Sequence, residues 1–344
     1  MWHKWLVVPF VACLLGLLGG VAHGQVRLRV AEFAAMSSAA IHLAQDRGYF
    51  REQGLAPEFI DFKTSGDALP ALATGEVDLY IGGWSAGTFN AFARGIQMKF
   101  VASRTCEMRG NRRKPLMARK DLFDSGAIRS LADLRGKPVG SLPGKGNTLT
   151  YQLHLMLRSA GLDLKDVEVV GLPLPDMVAA MKNRRVAATF TFEPIATRIE
   201  QLGLGVRLTT LGDISPGYMA AAITYGDAFI RQKPELGRRF LLAYLRGVRD
   251  YADAMHKRKG RREVIEILVR HQPIKDLALY EKIEWEPADP NGRVNRRSLE
   301  EEMRWYVQQG LAQRVVPLDD IVDDRFVEHA QRELGPYDVE VCGR

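Results

Sequence analysis

Only three cysteines occur in 344 residues, and none sits in a CxxC pair or a Cys/His ligand spacing, which argues against a structural zinc site. Histidine is scarce as well. His42, His154, His256, His271 and His329 are widely spread, and there is no HExxH. No GxSxG elbow marks a serine nucleophile. The stretch Gly140–Gly146, GSLPGKG, has three residues rather than four before its Gly-Lys, and Gly146 stands where a Ser or Thr would hold magnesium. A nucleotide loop of that type is therefore excluded. Low-complexity tracts are missing, and beyond residue 20 no apolar run approaches membrane-spanning length. The usual constellations of an enzyme are absent, so the expectation is a protein that binds, with no cofactor and no metal.

The amino terminus is different. Lys4 supplies a positive start, Leu6–Gly20 is almost wholly apolar, and Ala22-His23-Gly24 places small residues at −3 and −1 of a cut before Gln25. This is the pattern of a secretory signal peptide spanning residues 1–24, and it implies a periplasmic mature chain. A lipoprotein cut before Cys13 is the alternative, but it would leave most of the apolar run on the product. Cleavage before Gln25 leaves 47 basic and 41 acidic residues, a net charge near +6. Such a balance suits an anionic ligand or an anionic membrane surface. Arginines scattered over solvated faces explain it equally, and nucleic acid is not implied. Of the cysteines only Cys106 and Cys342 remain, either paired in an oxidising compartment or as two separate thiols.

The segment Ile41–Gly82 reads as helix, strand, helix, strand. Ala40, Ile41, Leu43 and Ala44 recur at helical spacing, with Gly48 as a stop. Pro57–Phe62 is a short β-rich run. Ser65 would cap a second helix that Gly75 ends, just before the buried strand Val77–Ile81. Strands alternating with single helices imply a parallel α/β sheet, whose ligand crevice lies beyond the carboxyl ends of its strands. The pattern repeats: residues 71–79, ALATGEVDL, can be laid on residues 180–188, AMKNRRVAA, with Arg184 where Gly75 stands in the first copy.

At RGYFREQGL followed by LPALATGEVDLYIGG, the chain resembles the solute-binding proteins of ABC importers in the nitrate/sulfonate/taurine group, which also holds binders of thiamine pyrimidine precursors. The likeness continues at SLADLRGKPVGSLPG, LRSAGLDLKDVEVVGLP and FTFEPIATRIEQLG, covering roughly Val26 to Leu211. The resemblance implies an α/β type II periplasmic binding protein: two α/β lobes around a ligand cleft. Residues 25–119 with 215–344 would form the first lobe and its C-terminal helices, and 120–214 the second. It further implies a monomer that closes on a small organic anion or zwitterion (sulfonate, taurine, nitrate or a relative) and delivers it to a permease coupled to an ATPase. A thiamine pyrimidine precursor or aromatic carboxylate, a sensory role, and a pyrimidine-synthase-like enzyme are the other readings.

Candidate ligand residues follow the strand ends. Ser37 and Ser38 succeed the first strand and offer hydroxyls or helix caps. Trp84 and Ser85 follow Gly82-Gly83, where bare backbone permits close approach. Gly146, Asn147 and Thr148 open a helix whose orphan N–H groups favour an anion. Phe192 and Tyr218 are aromatic linings or core. Glu193, ahead of Pro194, is either an acidic helix start or a partner for an amine-bearing ligand.

Overall fold

The computed structural model describes residues 24–32, 38–62, 65–271, 275–337 and 341–342. Almost all of the signal segment lies outside the described residues, as does Ser37.

Among the described residues, ten strands form two five-stranded sheets. The first holds β1 (Val26–Glu32), β2 (Leu55–Asp61), β3 (Leu79–Gly83), β4 (Met98–Ser103) and β10 (Ala221–Gly226), in the order β2-β1-β3-β10-β4. The second holds β5 (Pro115–Arg119), β6 (Pro138–Ser141), β7 (Glu168–Gly171), β8 (Ala188–Phe190) and β9 (Gly205–Thr210), in the order β7-β6-β8-β5-β9. The plans are identical. In each sheet the first three strands run parallel, as right for helix-linked crossovers, and one antiparallel strand (β10 or β5) separates the third from the edge. That strand comes from across the molecule in chain order. The expected boundary after residue 119 is corrected here: β5 pairs with β8 and β9, so the chain passes into the second half between residues 104 and 114.

The repeat seen in the sequence is structural. Gly75 follows helix Ser65–Thr74 with φ +76°, and Arg184 follows helix Leu174–Lys182 with φ +59°. Arg184 N–H donates to the Met181 carbonyl and Arg185 N–H to that of Ala180, which closes the helix end in the Schellman pattern. A side chain in this left-handed conformation costs about 1 kcal/mol relative to glycine. The Arg184→Gly variant should therefore gain up to about 1 kcal/mol, read as a higher urea midpoint at unchanged slope. A lowered midpoint would mean that the long contact to Asp121, at 3.9 Å, outweighs the backbone strain.

Helix Pro234–His256 covers the first sheet. Its apolar stripe of Phe240, Leu241, Tyr244, Leu245 and Val248 is fully buried, as a 3.6-residue period requires. Gly247 lets this helix touch helix Ala39–Asp46: a Cβ there would lie 2.4 Å from the Ala40 carbonyl oxygen. A second apolar cluster runs between the halves. It joins Phe89 and Phe100 of the first to Tyr151 and Val139 of the second, through Tyr218, Met303, Trp305 and Tyr306.

Candidate functional site

Two neighbouring passages connect the halves, residues 104–114 outward and 215–220 on the return. They are hydrogen-bonded to each other, Glu107 N–H to the Tyr218 carbonyl at 2.8 Å and Gly217 N–H to the Glu107 carbonyl at 2.7 Å. The outward passage also rests on the buried loop 285–292. Ser103, Cys106 and Asn111 donate to the carbonyls of Gly292, Pro287 and Trp285. Charge buried here is paired: Glu107 accepts from Lys114 at 2.7 Å and Arg113 at 2.9 Å, and Arg113 reaches Glu286 at 3.0 Å. Burial pushes the Lys114 ammonium below its usual pKa, with Arg113 adding to that and Glu107 opposing it. Cys106 and Cys342 are joined in a disulfide with Cα atoms 5.6 Å apart, an ordinary spacing, so the chain's end is tied to this passage.

Away from the passages, the loops after β3 and β6 meet. Ser85 and Asn147 form an isolated antiparallel bridge, and Ala86 N–H donates to the Gly146 carbonyl at 2.9 Å. The loops at the carboxyl ends of β3 and β6, one from each sheet, are thereby brought against each other. Of the residues expected from sequence, Trp84, Ser85, Gly146, Asn147, Thr148 and Tyr218 lie together here.

Their chemistry differs from expectation in several places. Asn147 is committed to its own helix: its Oδ1 accepts from Thr150 N–H at 2.9 Å, and its amide donates to the carbonyls of Pro143 and Gly144. Its side chain is a cap rather than a ligand donor. Trp84 is 2% exposed and packs on Phe100, with ring centroids 5.5 Å apart, so it is core and not cleft wall. Ser85 stands at the N-cap of helix Ala86–Ala93, its N–H donating to Thr88 Oγ1 at 3.0 Å. Ser38 is buried, and its Oγ accepts from Arg104 Nη2 at 2.7 Å, while Nη1 of the same guanidinium donates to the Ile81 carbonyl. Burial works to raise the pKa of neighbouring Glu32, but His42, Arg104 and Ser38 outweigh it and hold the carboxyl below the usual range.

Glu193 is the largest correction. It is buried at the end of β8, with Phe192 half-buried beside it, and a cis peptide bond joins it to Pro194. Its Oε1 accepts from Arg207 at 2.7 Å and from Thr197 Oγ1 at 2.9 Å, and its Oε2 from Thr197 N–H at 3.1 Å. With an arginine and a helix N-terminus already satisfying it, the carboxylate has no call for an amine-bearing ligand.

Sequence reasoning missed Glu302. It lies on helix Arg296–Gln308 and is 0% exposed, yet Tyr218 donates to its Oε2 at 2.6 Å and Tyr306 to its Oε1 at 2.8 Å. Tyr218 in turn shares a 2.8 Å hydrogen bond with Thr148 Oγ1. The indole N–H of Trp84 faces the same carboxyl without closing a good hydrogen bond. Burial pushes this group up to about 7, against the lowering effect of its hydroxyl neighbours. Leu299, Glu302, Met303 and Tyr306 fall on one helical face, so an acid interrupting an apolar stripe was the available signal. Three other polar side chains of the second half, Ser141, Gln152 and Thr191, are buried with atoms that find no hydrogen-bond partner. Among the described residues no cluster of His, Cys, Asp and Glu is arranged to hold a metal ion, and no helix is long and apolar enough to cross a membrane.

The sequence pattern of one family, described as NMT1/THI5 like, matches residues 35–255. The riboflavin-binding protein RibY of Chloroflexus aurantiacus is 29% identical over 233 residues, 66% of this chain and 62% of that protein, so the match spans less than two thirds of RibY. The periplasmic aliphatic sulphonate binding protein SsuA of Escherichia coli superposes with a TM-score of 0.69 at 18% identity, covering 87% of this chain and 92% of that one. The periplasmic nitrate-binding protein NrtA of Synechocystis PCC 6803 gives 0.68 at 14% identity, covering 93% and 92%. The desulfurization enzyme DSZB has the same fold, with a TM-score of 0.63 at 16% identity, covering 90% and 100%. Fold alone therefore does not separate binding from catalysis.

Proposed function

This chain belongs to the NMT1/THI5-like family, and on that footing we propose that it is the extracytoplasmic solute-binding component of an ABC importer. It closes two hinged halves around a small organic solute and presents the closed form to a permease coupled to an ATPase. One observation carries this reading: two sheets of identical plan bring strand-end loops together and are joined by two adjacent passages. That arrangement suits hinge closure on a ligand. Buried polar atoms without partners cost about 1–3 kcal/mol each, so Ser141, Gln152 and Thr191 are groups that a bound solute could satisfy. Among the described residues where the two loops meet, no nucleophile is paired with a base, which favours binding over turnover.

For the ligand, a small organic anion or zwitterion is one reading, supported by the fold shared with SsuA and NrtA. A flat nitrogen heterocycle is the second, favoured by the sequence likeness to RibY. The pairing of Glu193 with Arg207 weakens the main argument for taurine over an amine-free sulfonate. A thermal-shift panel on the mature protein tests both classes, using ethanesulfonate, taurine, nitrate, riboflavin and an aminomethylpyrimidine. A ligand at about 100 times its Kd adds roughly 2.7 kcal/mol, enough to move Tm by several degrees. A flat response across the panel, or product release from any compound by pure protein, would count against a binding role for these classes.

A further inference from the structure

Helix Arg296–Gln308 packs on both halves at once, against helix Ala86–Ala93 of the first and helix Thr148–Arg158 of the second. The Trp305 ring packs at a tilt, its centroid 5.3 Å from those of both Tyr151 and His154, across that second contact. Glu302 sits at the junction. From the second half Thr148 and Tyr151 cover it; from the first, Trp84 and Tyr306; and Tyr218, on the return passage, links Thr148 to its carboxyl. All of these neighbours are neutral. Hydrogen bonds alone do not repay the burial of an ionised carboxylate, which is stable here only as the acid, its O–H then donating to the Tyr218 hydroxyl while Tyr218 donates to Thr148, or after water reaches it.

We propose that Glu302 makes closure of the two halves proton-linked: the neutral acid is held in the closed junction, and ionisation favours drawing the second half away. Closing then takes up a proton. The inference rests on the hinge motion of the solute-binding reading, but its readout needs no solute. The sign follows from linkage. In the closed form the carboxyl titrates near 7, and once hydrated it would return toward 4.5. The closed state is thus favoured below about pH 5 and progressively lost as pH rises through 7.

Other titrating groups at the junction are few. Tyr151, Tyr218 and Tyr306 are raised by burial and by Glu302, so they stay neutral. Glu301 acts on Tyr151 and is exposed. His154, 3.4 Å from Asp163, is lowered by burial, with Asp163 opposing, and is the competing titratable group among the described residues of this contact.

The test is a distance measurement between spin labels at the exposed positions Arg94→Cys and Lys165→Cys, one on each half. At pH 5.5 the short-distance population should exceed that at pH 8, with the closing constant changed about tenfold or more. Glu302→Gln should stay closed at both values, and His154→Asn should keep the pH response. Thr148→Val, which cuts the link through Tyr218, should open the pair at both pH values and serves if Glu302→Gln does not fold. Distances independent of pH in the unaltered chain, a response that survives Glu302→Gln, or one lost in His154→Asn would overturn the proposal. A protein that ignores every solute of the panel yet shows the pH-dependent distances keeps this inference and loses only the ligand assignment.

Discussion

Glu193→Ala should lower folding stability by about 3–5 kcal/mol, with no separate effect on ligand affinity in whatever fraction remains folded. The reason is Arg207, whose side chain is only 7% exposed and donates to Glu193 at 2.7 Å and Glu200 at 2.9 Å. Glu200 is 35% exposed and well hydrated, so it compensates poorly for the loss of its buried partner. Removing Glu193 strands a guanidinium next to β8 and also leaves Thr197 N–H and Oγ without their acceptor. Glu193→Gln should cost less, since an amide oxygen still accepts from Thr197. Urea unfolding of both variants checks the ranking. A variant within about 1 kcal/mol of the parent would return Glu193 to the list of ligand contacts.

Reduction of the Cys106–Cys342 bond is the second large effect expected, about 2–4 kcal/mol and several degrees in Tm. The cysteines are 236 residues apart, so the link restrains an unfolded loop that is most of the chain. The gain is capped because the reduced tail has a cheaper way to leave. Among the described residues, the apolar cluster of Val341 and Cys342 holds just Cys106 and Met108 besides, so the tail can detach without unfolding the sheets. Melting with and without a phosphine reductant, beside the Cys106→Ala/Cys342→Ala double variant, measures it. Superimposable curves would mean that the tail contributes nothing to global stability.

Much of the architecture was legible because it depends on period and punctuation. The strands read at Pro57–Phe62 and Val77–Ile81 lie within two residues of β2 and β3, and the repeat of 71–79 in 180–188 anticipated two sheets of one plan. β5 and β9 were not anticipated. Pro115–Arg119 begins with proline and follows an Arg-rich loop, so its pairing partners, distant in sequence, decide its state. Of the strand ends named as ligand positions, those after β3 and β6 do meet. What each side chain does there was less readable. Whether Asn147 caps or donates, and whether Glu193 meets a ligand or Arg207, depends on residues that no local window contains. Glu302 was hidden by its company, a Glu-Glu-Glu run that looks solvated until the helix phase is counted.

The first sheet is interrupted in the order in which it is made. β10 lies between β3 and β4, so the sheet cannot close until residue 221 has emerged, whereas 115–210 supply every strand of the second sheet without a break. During synthesis or threading across a membrane, the later-starting half has the shorter wait. The earlier one must stay open as an incomplete edge, with β3 and β4 exposed to pairing with other chains. A chaperone that guards nascent segments would find its natural client there, in roughly the first hundred residues, rather than in the half that assembles unaided.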